Sequence, residues 1–492
     1  MTATSYNSKH TLAGFFARLN YNFRGRYLLE ANFRYDGSSK FPSGKRWAAL
    51  PSFSAGWIVS NEKFMESLNP ALSFLKLRAS WGKLGSDRIS DGLFLATMAL
   101  SESSWIMGET GAWTLGLPKA LANGFTWETI ATTDLGIDLR LLGNRLGVGF
   151  DWYNRRTSDL INTGASLPST FGQTAPMTNY GHLNTNGWEL SVDYHHTFPF
   201  GLGMTVTANL SDAKSKYSNV DPTERRCDYR YNGKVYGEIW GYETDRLFTK
   251  DDFTYDADGR ITGYAEGVAS QQYLVDKYGQ TSFQFGPGDV KYVDQNGDGK
   301  IDNGETDTPT IDDPGDMKVI GNSSPRYQYG GRLDLTYKGF DLGLFFQGVG
   351  KRDYWGTGQL VNPSFHFGEA YYKHHMDYWT EENPNAFYAR PYALNYRSES
   401  PNYKRQTRYL LNMAYCRLKN LTVGYSLPDN VLKKLQLTKL RIYASFENLK
   451  TWDHLDGIPI DPEVTVQTGD GGYIGRSYPF SKEYSFGLQL TF

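Results

Sequence analysis

Apolar residues recur at every second position in many segments of this chain, which commits those segments to β-strands with two chemically different faces, since a helix would repeat them every third or fourth residue. Phe15, Ala17, Leu19, Tyr21 and Phe23 share one face, with Arg18, Asn20 and Asn22 on the other. After Arg24-Gly25-Arg26 the alternation resumes as Tyr27, Leu29, Ala31, Phe33 and Tyr35 against Glu30, Asn32, Arg34 and Asp36, which describes a hairpin. The same pattern predicts strands within 11-60, 71-86, 130-162, 185-215, 325-356, 406-426, 438-452 and 480-492, roughly thirteen in all. Pro51 interrupts the run from Arg46 to Ser60, and a slip in apolar phase near Asn420 marks a bulge.

Connections are of two kinds that alternate along the chain. Short turns such as Lys338-Gly339 alternate with long polar segments at 86-128, 215-322, 355-405 and 452-479. Soluble sheets seldom do this, whereas a transmembrane barrel has tight turns at one rim and large loops at the other. In hydrocarbon only a closed barrel satisfies every backbone N–H and C=O, so an apolar outer face opposite a charged inner one fits that setting. The expected class is an all-β, antiparallel, up-and-down transmembrane β-barrel portion with long extracellular loops. A soluble β-sandwich or propeller also alternates and is the competing fold.

Composition agrees and excludes other classes. Aromatic residues make up 15%, with 52 Gly, which suits strands and turns, and a net charge of −2 argues against nucleic acid as a partner. No run approaches the roughly 18 apolar residues of a membrane-spanning helix. Cys227 and Cys416 are too few for a disulfide framework. No basic stretch followed by an apolar one, the mark of a secretory leader, is visible at the start.

The last strand carries Tyr484, Phe486, Leu488, Leu490 and Phe492 on one side and Ser485, Gly487, Gln489 and Thr491 on the other. A chain ending on an aromatic strand would be an edge liability in water, but a closing barrel strand needs that pattern. It resembles the signal that outer-membrane proteins present to the barrel-assembly machinery.

Tyr27 to Phe41, Trp47, Pro51 to Trp57, Leu77 to Gly82, Asp294 to Asp302, Ile320-Gly321-Asn322, Tyr337 to Leu342, Phe346-Gln347-Gly348 and Arg417 to Tyr425 follow one another along the chain. In sequence and in order these strings resemble the SusC/RagA family of TonB-linked outer-membrane transporters of Bacteroidetes. The resemblance implies a 22-stranded barrel with an N-terminal plug, a SusD/RagB-like surface lipoprotein as lid, and TonB-driven import of glycan or peptide fragments. With roughly thirteen strands and no plug, signal or TonB-contacting segment recognised, the chain is expected to be the C-terminal part of such a transporter, meeting the TonB complex through a missing N-terminal part. Two other readings compete: a non-transporting β-scaffold or adhesin-like binding protein with a calcium-braced loop, and a small passive porin. An odd strand count counts against the porin.

The sharpest local motif runs from Asp294 to Glu305. Asp294, Asn296, Asp298, Lys300 through its carbonyl, Asp302 and Glu305 occupy the donor positions of a twelve-residue calcium loop, with Gly299 at the sixth. The flanking Pro287, Gly288, Pro309 and Pro314 do not favour EF-hand helices, so the expectation is an isolated loop with calcium as a structural cofactor; the alternative is an empty Asp/Asn/Gly turn. Ile301 would tether it to its surroundings. Tyr371, Tyr372, Tyr378, Trp379 and Tyr388 form an aromatic loop cluster suited to sugar rings or peptide, or else to packing against the rim. Arg18, Arg34, Lys76, Arg78 and Asp151 either line the lumen or pair with one another within the wall. His195-His196 and His374-His375 are read as rim or loop residues, because neighbours on a strand point to opposite faces. No nucleophile elbow, zinc helix or phosphate loop occurs, and the chain is expected not to be an enzyme.

Overall fold

The structure is a computed structural model that describes residues 9–492 apart from 96, 108–109, 119, 122–123, 164–168, 174, 278–282, 359, 364–370, 393–400, 435 and 464–477. Its all-β class and the strand alternation agree with the sequence reading, and thirteen long antiparallel strands are present among the described residues. Residues divide into two compact units, Met1–Val192, Ala213–Glu224 and Tyr231–Val235 forming the first and Asp193–Asp212, Arg225–Arg230 and Tyr236–Phe492 the second.

The first unit orders its strands as β1 (Leu12–Phe23), β2 (Tyr27–Ser38), β3 (Trp47–Ile58), β4 (Leu72–Ser86), β5 (Glu128–Leu141), β6 (Leu146–Ser158) and the start of β7 (His182–Thr197). Register places Phe15 opposite Tyr35 and Tyr27 opposite Trp57, so the apolar faces predicted from alternation coincide across strands. Aromatic side chains there stack in cross-strand pairs: Tyr35 on Trp47 with ring centroids 5.0 Å apart, Tyr27 on Trp57 at 6.4 Å and Phe53 on Trp81 at 6.2 Å. Pro51 is accommodated because the ladder between β3 and β4 runs only from Ser52 onward, so the missing N–H removes no bond from it. All twelve residues of β1 are exposed.

In the second unit β8 (Gly203–Ser218), through its residues up to Asp212, is followed by β9 (Arg326–Tyr337), β10 (Phe340–Lys351), β11 (Leu411–Ser426), β12 (Lys439–His454) and β13 (Glu483–Thr491). Lys338 and Gly339 turn β9 into β10 with φ of 48° and 88°, the mirror-image geometry that matches strand twist. The ladders between β11 and both its neighbours shift register around Lys419, one residue from where the apolar phase slips. Among the described residues β13 pairs only with β12.

Burial is concentrated in the connections. A strand with lipid on one face and water on the other has nothing within the chain to bury against, so Phe15, Leu19, Phe486 and Leu488 stand more than half exposed. The segment read from sequence as a long loop at 215-322 is itself folded. Short strands Glu238–Tyr242 and Met317–Asn322 pair, as do Thr244–Leu247 and Val290–Tyr292, beside a one-turn helix α1 (Gln272–Lys277). Phe248, Leu274, Val290 and Ile301 are fully buried together with Tyr388 and Tyr409 from the later loop.

Candidate functional site

The polar face of each wall is a lattice of ion pairs. In the first unit Arg18 reaches Glu30 at 2.7 Å, Arg34 meets Asp36 at 3.1 Å, and Arg78 spans Asp138 and Asp151, both at 2.8 Å. In the second, Arg332 pairs with Asp334 at 2.7 Å, Arg441 with Asp341 at 2.6 Å, and Arg326 with Asp212. Most of these groups keep contact with water, so each such pair contributes under about 1 kcal/mol; Asp212 is the buried exception. Their consequence is a hydrated, nearly neutral surface opposite an apolar one. Of the charged residues singled out in sequence, Arg18, Arg34, Arg78 and Asp151 are committed to partners within the wall, while Lys76 lines a recess of 510 Å³ with Glu30, Ser54, Arg78 and Asp134.

A second recess, of 460 Å³, opens on the polar face of the second unit between β8, β9 and β10. It takes in Asn209, Ser211, Gln328, Phe345 and Gln347. The sequence reading of the inner face weighed charged residues alone and passed over these, although alternation already sets Asn209 opposite Ala208 and Leu210, and Gln347 opposite Phe346.

The loop module of the second unit has its own buried polar centre. Asp289 is fully buried and accepts from Gly286 N at 2.8 Å, Asn402 Nδ2 at 2.7 Å and the Tyr392 hydroxyl at 2.5 Å, with Arg390 at 3.5 Å. Burial pushes its pKa up to about 6, against the pull of Arg390 and these donors. Asp252 goes the other way: burial alone would raise it, but Arg246, the Thr249 N–H and Lys291 together hold it well below the usual carboxylate range.

The Asp294–Glu305 loop winds through a series of side-chain to backbone turns. Asp294 accepts from Gly297 N at 2.7 Å and Gly299 N at 2.9 Å, Asn296 from Asp298 N at 3.1 Å, and Asp298 from Lys300 N at 3.0 Å. Gly299, with φ of 84°, takes a conformation that side chains resist, which explains glycine at the sixth position. The Lys300 ammonium sits 2.5 Å from Asp302 and 3.7 Å from Asp298, so the motif's fifth and ninth carboxylates are neutralised from within. The Glu305 backbone donates to Asp313. Among the described residues no group of three or more His, Cys, Asp or Glu converges closely enough to hold a metal ion. Ile301 is fully buried in the module's core and its N–H reaches Ser270 O at 2.8 Å, anchoring the loop.

The aromatic candidates divide. Tyr388 is 2% exposed, its ring 6.0 Å from Tyr409 and 5.0 Å from His375, and Tyr378 and Trp379 pack against the same core. Tyr371 lies edge-on to His375, and Tyr372, at 38%, is the exposed member of the set. These residues mostly form the interior of the loop module. His375 is buried at a turn of 3₁₀-helix, not at a rim, whereas His374 reaches Leu360 O at 2.8 Å. At the C-terminus, Leu490 faces Leu440, Leu488 faces Ile442, Phe486 faces Ala444 and Tyr484 faces Phe446, so the apolar face of β13 continues that of β12; Phe492, just beyond the strand, is 88% exposed.

Residues 2–449 match the family model described as "TonB dependent receptor-like, beta-barrel". The whole chain is 28% identical to 46% of TonB-dependent receptor P3 of Formosa agariphila, and 99% of it is 27% identical to 44% of TonB-dependent receptor SusC of Bacteroides thetaiotaomicron. Among solved structures, the RagAB peptide importer in its closed-closed state shares the fold with a TM-score of 0.71 at 21% identity, over 99% of this chain and 48% of that one. The chain thus spans about half the length of the curated relatives it matches.

Proposed function

We infer the function from family membership: the chain belongs to the TonB-dependent receptor-like β-barrel family, is of SusC/RagA type, and is an outer-membrane β-barrel protein. The whole protein imports glycan or peptide fragments across the outer membrane with energy from the TonB complex, beneath a SusD/RagB-like lipoprotein. This chain supplies part of the barrel wall and its extracellular loops, and performs no covalent chemistry. The observation that carries the reading is the division of the wall strands, where ion-paired Arg18, Arg78, Arg332 and Arg441 lie opposite apolar rows. Such a wall conducts polar solutes on one side and meets lipid on the other.

The barrel is incomplete without further strands. A strand edge left unpaired in hydrocarbon costs several kcal/mol per backbone group, and β1 and β13 each have a single partner among the described residues. The terminal aromatic face of β13 engages the barrel-assembly machinery. The test is deletion of the gene, followed by uptake of labelled glycan and peptide fragments with and without a protonophore. The reading requires uptake that depends on both gene and proton gradient, in a polypeptide about twice as long as this chain. Unchanged uptake, or gradient-independent passage, would overturn it.

The Asp294–Glu305 loop is proposed to bind calcium as a brace, with the Lys300 ammonium withdrawing as the ion enters. Its support is the spacing of its oxygen donors and the wrapped backbone. Chelation should then speed proteolysis within residues 290 to 310 while leaving strand structure intact. If titration calorimetry gives no calcium heat and proteolysis is unaffected by chelator, the loop is an Asx-rich turn.

A further inference from the structure

The second recess differs in kind from its charged counterpart. The side chains of Asn209, Ser211, Gln328 and Gln347 make no hydrogen bond to protein among the described residues, and the Phe345 ring lies beside them. Each amide offers a donor and an acceptor together, and the hydroxyl offers either. Gly330 keeps the floor open, because a Cβ there would stand 2.6 Å from Asn209 Oδ1 and 3.7 Å from the Phe345 ring. At the margin Arg352 donates through Nε to Ser323 O, and Glu463 is held by Arg417 at 2.8 Å and Lys419 at 2.9 Å.

We propose that this recess is a binding subsite for an uncharged oligosaccharide, whose vicinal hydroxyls pair with the Asn209, Gln328 and Gln347 amides while a sugar face rests on Phe345. The inference rests on the import reading and narrows its cargo. A peptide is the poorer match, because β9 and β10 are each hydrogen-bonded to neighbours on both sides and leave no main-chain edge for an extended peptide to join. An acidic glycan is also poorer, since the Glu463 carboxylate lines the recess alongside its single lining cation, Arg352, and would face the ligand's own carboxylates. At 460 Å³ the recess is within the range of small-ligand sites.

The test uses the outer-membrane polypeptide that carries this sequence, purified in detergent. Its binding to neutral hexasaccharides of the gluco-, xylo- and manno- series is compared with an oligogalacturonate and a mixed tryptic peptide digest. At least one neutral series should bind best, and Gln328→Leu and Gln347→Leu should each weaken that binding about tenfold. Lys76→Met, in the other recess, should leave it unchanged, and circular dichroism checks that every variant is folded. Preference for the acidic or peptide probe, absence of any neutral binding, or full affinity in both Gln variants overturns the subsite. Loss of the import reading would appear separately, as uptake that survives gene deletion.

Discussion

Replacing Arg417 tests whether charge fastens the loop beside β12 to the wall. Arg417 is 2% exposed and donates to Thr451 Oγ1 at 2.8 Å, Asp461 at 2.6 Å and Glu463 at 2.8 Å. Its guanidinium also lies 5.4 Å from the centre of the Phe480 ring. Breaking a buried pair by deleting one partner costs roughly 3 to 5 kcal/mol, because the other charge is left without compensation. Lys419 still neutralises Glu463 at 2.9 Å, so the stranded group in Arg417→Met is chiefly Asp461, whose side chain is 6% exposed. The lower end applies, about 3 kcal/mol. That raises the opened population of residues 455–463 by about two orders of magnitude, and cleavage there follows the open population when closing is fast. The assay is limited proteolysis of the membrane-embedded protein, with fragments located by mass spectrometry. Arg417→Met/Asp461→Asn should recover most of the protection. A single variant cleaved within threefold of wild type, or a double variant no better than the single, would refute the argument.

Four other predictions concern the loop module and the turns. Leu274→Ala empties a fully buried site and should cost the module about 3 kcal/mol, read as faster amide exchange in Val290–Tyr292 with the exchange of β9 and β10 unchanged. Asp289 has a folded pKa near 6, above the ordinary 3.8, so its stabilising contribution is full below about pH 4 and is lost as pH rises through 6. The advantage of wild type over Asp289→Asn in module stability should therefore shrink from pH 4 to pH 7. His375 has the opposite sign: burial, with the neighbouring His374, lowers its pKa from 6.5 to about 4, so its contribution is present above pH 6.5 and lost on acidification, and His375→Gln should flatten that slope. Gly339→Ala places a Cβ 2.7 Å from Ser426 O at a φ of 88°, and should lower barrel stability by about 1 to 2 kcal/mol, seen as a lower thermal midpoint in micelles.

The wall strands were legible because their periodicity is local: each strand states its two faces in its own residues, and register follows from two-residue turns such as Lys338-Gly339. Even the slip near Asn420 is visible, because one extra residue reverses the alternation. The loop module was illegible for the converse reason. Phe283 and Phe285, like Val290 and Tyr292, alternate over only three residues, too few to stand out as a strand, and their burial depends on Tyr388 and Tyr409, about a hundred residues later. The same distance explains Tyr388, which composition alone cannot tell from an exposed platform. Charged residues of the wall were recognised as facing inward, but their partners are set by cross-strand offset, as where Arg78 spans Asp138 and Asp151 from different strands. The amide recess was missed because neutral side chains carry little signal until neighbouring strands bring them together.

The most direct test of the membrane wall is its alternation measured in place. After Cys227 and Cys416 are replaced by serine, single cysteines at Arg332, Leu333, Asp334 and Leu335 on β9 are exposed, in intact outer membrane, to a water-soluble maleimide and to a lipid-confined quencher of an attached fluorophore. Maleimide should label 332 and 334, and lipid should quench at 333 and 335. Equal labelling at all four positions, or no quenching at any, would contradict a strand that divides lipid from a hydrated interior.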